Sequence, residues 1–196
     1  MKWIISNFIE IIAVITGLVY ILLSIKQKIS CWIFGIISSV LYIYILYNSK
    51  IYADMALQIY YVAMGIYGWI NWSKSNNNNQ LQVSSLNTKN LIKLSIIGIL
   101  GFFIISIFLI KFTDSNIPYI DAFTTILSFI ATWMLAKKIL EHWIIWIIVD
   151  SVSIGLYFYR ELYITILLFI IYTIMAIKGY KEWKKGIKYK RYESFA

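Results

Sequence analysis

The sequence predicts an all-α integral membrane protein of seven transmembrane helices, in a 3+1+3 arrangement of two parallel three-helix repeats. Three observations predict it: the composition, the lengths of the apolar runs, and a similarity of the chain to itself at one constant offset. Of 196 residues, 61% are hydrophobic and 14% charged, with one proline and nine glycines. A soluble domain of this length has too much surface for its volume to hide that apolar share. The net charge of +9 does not indicate nucleic acid, because most of the basic residues lie between apolar runs or in the tail. A single cysteine, Cys31, and a single histidine, His142, exclude a disulfide framework and argue against a zinc site. Neither a metal nor a cofactor is expected.

A bilayer core takes about 20 helical residues, within roughly 17–25. The runs that satisfy this are 8–25, 31–48, 53–72, 91–111, 119–136, 142–159 and 162–180. The first has the basic start of a signal peptide. Glu10 interrupts its apolar stretch, however, and it ends in Lys26-Gln27-Lys28, a stop-transfer pattern. The tract 73–90, "SKSNNNNQLQVSSLNTKN", has too few apolar residues for a core and reads as a flexible linker.

A shift of 111 residues superposes Lys26 on Lys137, Trp32 on Trp143, Tyr52 on Tyr163, Tyr61 on Tyr172, Gly68 on Gly179 and Trp72 on Trp183. Glu10 falls on Asp121. Isoleucine matches are expected by chance in such a chain, but rarer residues matching at one offset indicate an internal repeat. The expected parts are a first repeat at 8–72, a linker with a connecting helix (about 91–111) at 73–118, a second repeat at 119–183, and a basic tail at 184–196. Three helices reverse the side of the membrane and the connecting helix restores it, so both repeats run in the same direction. Fourteen of the Lys and Arg residues fall on the side of the C-terminus and four on the other. That bias puts the C-terminus in the cytoplasm and the N-terminus outside.

The run "WIIWIIVD" (143–150) places one carboxylate among apolar neighbours. An aspartate at a helix centre costs about 2.5–3.5 kcal/mol on insertion scales. Asp150 lies about 10 Å in from the cytoplasmic start of its span at 1.5 Å per residue. Trp143, Trp146, Asp150, Ser153 and Tyr157 recur at intervals of three and four, on one helix face. The counterpart in the first repeat is Trp32, Gly35, Ser39 and Tyr42, so one half of a symmetric scaffold is specialised. Asp54, Gln58, Tyr61, Gly65, Gly68 and Trp72 form a second stripe, and Tyr172 repeats Tyr61. A cation held by Asp150 and aromatic faces is one reading. A carboxylate bonded to a neighbouring helix, with tryptophans as interfacial belts, is the other.

These residues resemble the PnuC family of bacterial vitamin transporters. "WIFGIISSVLYIYILYNSKIYADMALQIYYVAMGIYGWINW" is similar to that family's first-repeat signature, and "WIIWIIVDSVSIGLYFYRELYITILLFIIYTIMAIKGYKEW" to its second. The resemblance covers about residues 8–183. It implies a SWEET-like seven-helix carrier, typically a homotrimer, in the bacterial inner membrane. The implied function is import of nicotinamide riboside by facilitated diffusion, with trapping by a cytoplasmic kinase; thiamine is the alternative. By the same resemblance Trp143, Trp146 and Asp150 match the sixth-helix substrate cluster, Gln58 and Tyr61 match third-helix positions, and Tyr172 matches its repeat mate. Some nicotinamide riboside carriers have Asn where Asp150 stands, a difference that does not separate two cationic vitamins. A structural assembly role is the alternative from another class. An enzyme is not expected, since no paired carboxylates, nucleophile–histidine pair or phosphate-cradling glycine loop is visible.

Overall fold

The apolar runs fold as helices, and the computed structural model describes residues 2–48, 52–74, 81–113, 115–159 and 163–193. Lys50, Arg160 and residues 75–80 of the polar tract lie outside them. The described residues form α1 (Lys2–Ile25), α2 (Cys31–Asn48), α3 (Tyr52–Ser73), α4 (Thr88–Phe112), α5 (Pro118–Ala136), α6 (His142–Tyr159) and α7 (Tyr163–Glu193). Among these residues there is no strand beyond one isolated bridge. By length and apolarity alone, Phe8–Ile25, Cys31–Asn48, Thr88–Phe112 and Pro118–Ala136 qualify as membrane spans.

The chain divides into two compact units, 1–82 and 83–196. In the first, α2 packs on both α1 and α3; in the second, α5 packs on α4 and α6, and α6 on α7. Several features of the two units fall 111 residues apart. α1 ends at Ile25 and α5 at Ala136; α2 spans 31–48 and α6 spans 142–159; α3 begins at Tyr52 and α7 at Tyr163.

The turns after α1 and α5 also correspond atom for atom. The Lys28 amide donates to Leu23 O at 3.0 Å and Gln27 to Ser24 O at 3.0 Å; Ile139 donates to Met134 O and Lys138 to Leu135 O, both at 2.9 Å. These pairs are a Schellman stop, which satisfies the last carbonyls of a helix and needs a left-handed residue. Gln27 and Lys138 supply it, each at φ 53°. Neither is glycine, so the sequence carries no sign of the turn.

Two elements differ from the sequence reading. α7 does not stop at 180 but continues to Glu193, because the tail is rich in Lys, which favours helix, and has no proline. The polar tract is also not flexible throughout. The Ser84 amide donates to Lys138 O at 3.0 Å and the Leu140 amide to Ser84 O at 2.8 Å. Beside this bridge the Glu141 carboxylate accepts from Ser85 Oγ and, at 3.0 Å, from the Leu86 amide. Asn87 then caps α4, its side chain accepting from the Asn90 amide at 2.8 Å.

The end of the polar tract is therefore strapped onto the α5–α6 turn. Glu141→Ala removes both acceptors, so the strap is expected to lose about 1–3 kcal/mol of local stability. Hydrogen exchange should speed up at the Ser85 and Leu86 amides while the α2 amides stay unchanged. Unaltered exchange at Leu86 would show that the carboxylate does not hold the strap.

Candidate functional site

α6 carries the polar stripe from one end to the other. Its amide hydrogens and carbonyls are used within the helix, so its side chains alone meet the surroundings. Asp150 is buried, at 5% exposure. It has no hydrogen-bond or ion-pair partner among the described residues. The nearby hydroxyls turn back to their own helix: Ser153 donates to Val149 O at 2.9 Å and Ser151 to Ile147 O at 2.7 Å. The alternative from the sequence, a carboxylate bonded to a neighbouring helix, is not what the described residues show. A buried carboxylate with no counter-charge invites a cation.

Trp146 lies one turn away on the same face and is half-buried, so part of its ring remains open. Trp143 is different. It is 4% exposed, stands edge-on to Trp183 (centroids 5.7 Å apart, 89°), and lies 4.4 Å from the His142 ring. A Cβ added at Gly179 would lie 2.6 Å from its indole. Trp143 is thus a packing residue at the N-terminal end of the stripe, and glycine is needed at 179 for the indole to approach α7. The first unit builds the same arrangement from Trp32, Trp72 (5.3 Å, 82°) and Gly68.

Tyr172, on α7, is half-buried and meets Phe169 at 5.9 Å; Phe169 in turn stacks on Tyr157 of α6 at 5.2 Å. Asp150, Trp146 and Tyr172 thus share one unit, with an aromatic chain joining the C-terminal half of α6 to the N-terminal half of α7. Gln58 and Tyr61 belong to α3 of the first unit, where both are half-buried and Tyr61 lies 6.0 Å from Tyr60. Glu10, in the third turn of α1, and Asp54, in the first turn of α3, are exposed, and Asp121 accepts from Ser115 Oγ at 2.6 Å.

The sequence favours a core or interfacial role for His142 over a chemical one, and the structure puts it inside the aromatic cluster. It is fully buried, with Nδ1 2.7 Å from Ile139 O and its ring 4.8 Å from that of Trp183. Its Nε2 and the Trp143 indole N–H have no partner among the described residues. The residue 111 earlier, Cys31, is also fully buried. Among the described residues no group of His, Cys, Asp and Glu could hold a metal ion.

A multi-pass helical protein with an uncompensated acid and open aromatic rings inside one bundle has the makings of a carrier for a small organic cation. Comparison with known proteins agrees on the class. The chain belongs to the nicotinamide mononucleotide transporter family, whose model matches residues 7–185. It is 28% identical over 203 residues to the nicotinamide riboside transporter PnuC of Escherichia coli (strain K12), covering 90% of this chain and 85% of that protein. It is 25% identical over 198 residues to the protein of the same name from Neisseria mucosa, covering 93% and 74%. A crystal structure of the vitamin B3 transporter PnuC superposes with a TM-score of 0.77 at 24% identity, over 93% of this chain and 83% of that one. The protein is therefore a membrane transporter of PnuC type and not an enzyme.

Proposed function

We propose that this chain imports nicotinamide riboside by facilitated diffusion, with Asp150 holding the positive charge of the pyridinium ring. The observation that carries the reading is the buried, unpartnered carboxylate one turn from the half-open Trp146. A pyridinium offers the charge Asp150 lacks and a flat face for an indole. The relatives named above are nicotinamide riboside transporters. The mononucleotide in the family's description adds a phosphate, which is repelled by Asp150 and finds no lysine or arginine in α6. Gln58, Tyr61, Tyr172 and Trp146 complete the proposed substrate set, and Trp143 lies three residues before Trp146 on the same helix face.

The two units act as parallel three-helix repeats with α4 between them, and rocking of one against the other gives alternating access. The common element ends and the matching turns support that arrangement. The N-terminus lies outside and the C-terminus in the cytoplasm of the bacterial inner membrane. Exposed Lys178, Lys181, Lys184 and Lys185 in the second half of α7, with only Glu182 among them, suit the anionic inner leaflet. A homotrimer fits the apolar outer face of α4, where Leu100, Phe103 and Ile107 are exposed to lipid or to a second copy. A cytoplasmic kinase phosphorylates the arriving vitamin and prevents its return.

The test is binding of nicotinamide riboside, its mononucleotide and thiamine to the purified protein, side by side. The riboside is expected to bind at least about tenfold more tightly than the other two, a difference of roughly 1.4 kcal/mol. A preference for thiamine would keep the site and change the vitamin. Binding of none of the three would favour a structural assembly role.

A further inference from the structure

The two units solve one packing problem in opposite ways, and the difference falls at Trp146. In the first unit α2 has glycine at 35, and the Tyr20 ring of α1 lies against it. A Cβ at Gly35 would meet Tyr20 Cδ2 at 2.9 Å and Cε2 at 3.1 Å. At that place, then, the ring on α1 and a side chain on α2 exclude each other. In the second unit the residues 111 further on are Ala131 of α5 and Trp146 of α6, so the large and small partners are exchanged. The flanking frame is shared: the helix ends agree, the Schellman turns agree, and each unit has its edge-on tryptophan pair against a glycine. Ala131 is fully buried and Trp146 only half-buried.

From this exchange the geometry points to Ala131 as the positioning residue for Trp146. By leaving free the space that Tyr20 fills in the first unit, it lets an indole stand on α6 beside Asp150. A larger residue at 131 takes that space and displaces the indole from the face that carries the acid. Interiors are close-packed, so the displaced ring has no second place of equal quality. The inference rests on the reading of Trp146 as a substrate contact. It adds that the specialisation of this half required two linked changes, one on α6 and one on α5.

The experiment is a size series at 131 (Gly, Ser, Val, Leu), read by nicotinamide riboside affinity and by thermal melting, with and without Trp146→Gly. Affinity is expected to stay within about threefold for Ala131→Gly and Ala131→Ser. It should fall at least about tenfold for Ala131→Leu, in line with the cost of overpacking a filled interior. Melting temperature lost in Ala131→Leu should be largely recovered when Trp146→Gly is added, because the two side chains no longer compete. Where Ala131→Leu does not fold, Ala131→Val reads the same coupling. Full affinity in the largest variant that folds, or no recovery in the double variant, overturns the positioning role. Intact binding in Trp146→Gly alone rejects instead the substrate role of Trp146 on which the inference stands.

Discussion

Asp150→Ala is expected to weaken nicotinamide riboside binding by at least about 30-fold while leaving the protein folded. Removing one partner of a buried charge pair costs about 2–5 kcal/mol, and in the proposed loaded carrier that pair is Asp150 with the pyridinium. Without ligand the same carboxylate has no partner among the described residues. Its loss therefore relieves the empty protein of a desolvated charge. The signature is opposed: weaker binding together with a ligand-free melting temperature that is unchanged or higher. Asp150→Asn should fall between, keeping the shape and the stack on Trp146 but giving up the charge. Isothermal binding and thermal melting on the same preparations read both quantities. If Asp150→Ala instead misassembles and melts lower, the acid joins helices and the structural reading gains. Unchanged affinity in a well-folded variant would remove Asp150 from the site.

How much of this was legible in the sequence depended on the range of the interaction. The all-α class and the helices 31–48 and 142–159 followed from apolar length, a property of each segment alone. The odd position of Asp150 was equally plain, because a lone acid in an apolar run stands out whatever surrounds it. The end of α7 was missed because hydropathy falls at Lys181 while helix propensity does not; membrane exit and helix end are separate events. The strap at Ser84–Leu86 was missed because its acceptor, Glu141, lies 55 residues beyond Leu86. Composition described the donor segment correctly as polar and said nothing of that acid. The left-handed Gln27 and Lys138 were invisible for a third reason. Glycine usually marks such a turn, and here ordinary residues are held in it by two helix-end hydrogen bonds.

Trp143 shows the same limit inside the candidate site. Its spacing put it on the stripe with Trp146 and Asp150, and spacing cannot tell a ring that faces a cavity from one clamped by a neighbouring helix. The clamp is Gly179, on another helix, and it was readable only as a repeat of Gly68. In both units the glycine marks where a backbone comes close to an indole.

That close approach gives glycine substitutions of opposite sign along the second unit. Ala in place of Gly in a helix interior gains roughly 0.5–1 kcal/mol where nothing obstructs the new methyl group. At Gly155, in α6, no atom beyond the local helix backbone and adjoining residues lies within 4 Å of the added Cβ, so Gly155→Ala should raise the melting temperature slightly. At Gly179 the methyl would stand 2.6 Å from the Trp143 indole, which is itself held between His142 and Trp183. The ring cannot retreat without opening that cluster, and overpacking of this kind costs about 1–3 kcal/mol. Gly179→Ala should therefore lower the melting temperature despite the gain in helix propensity, and Gly179→Leu should abolish folding. Gly68→Ala, against Trp32, should behave like Gly179→Ala. Because Trp143 precedes Trp146 by three residues on the same face of α6, Gly179→Ala should also weaken binding at the proposed site, whereas Gly155→Ala should not. Melting curves for the three alanine variants in one detergent decide the matter. Shifts of the same sign in all three would mean that helix propensity, and not the glycine–indole contact, sets the stability of this bundle.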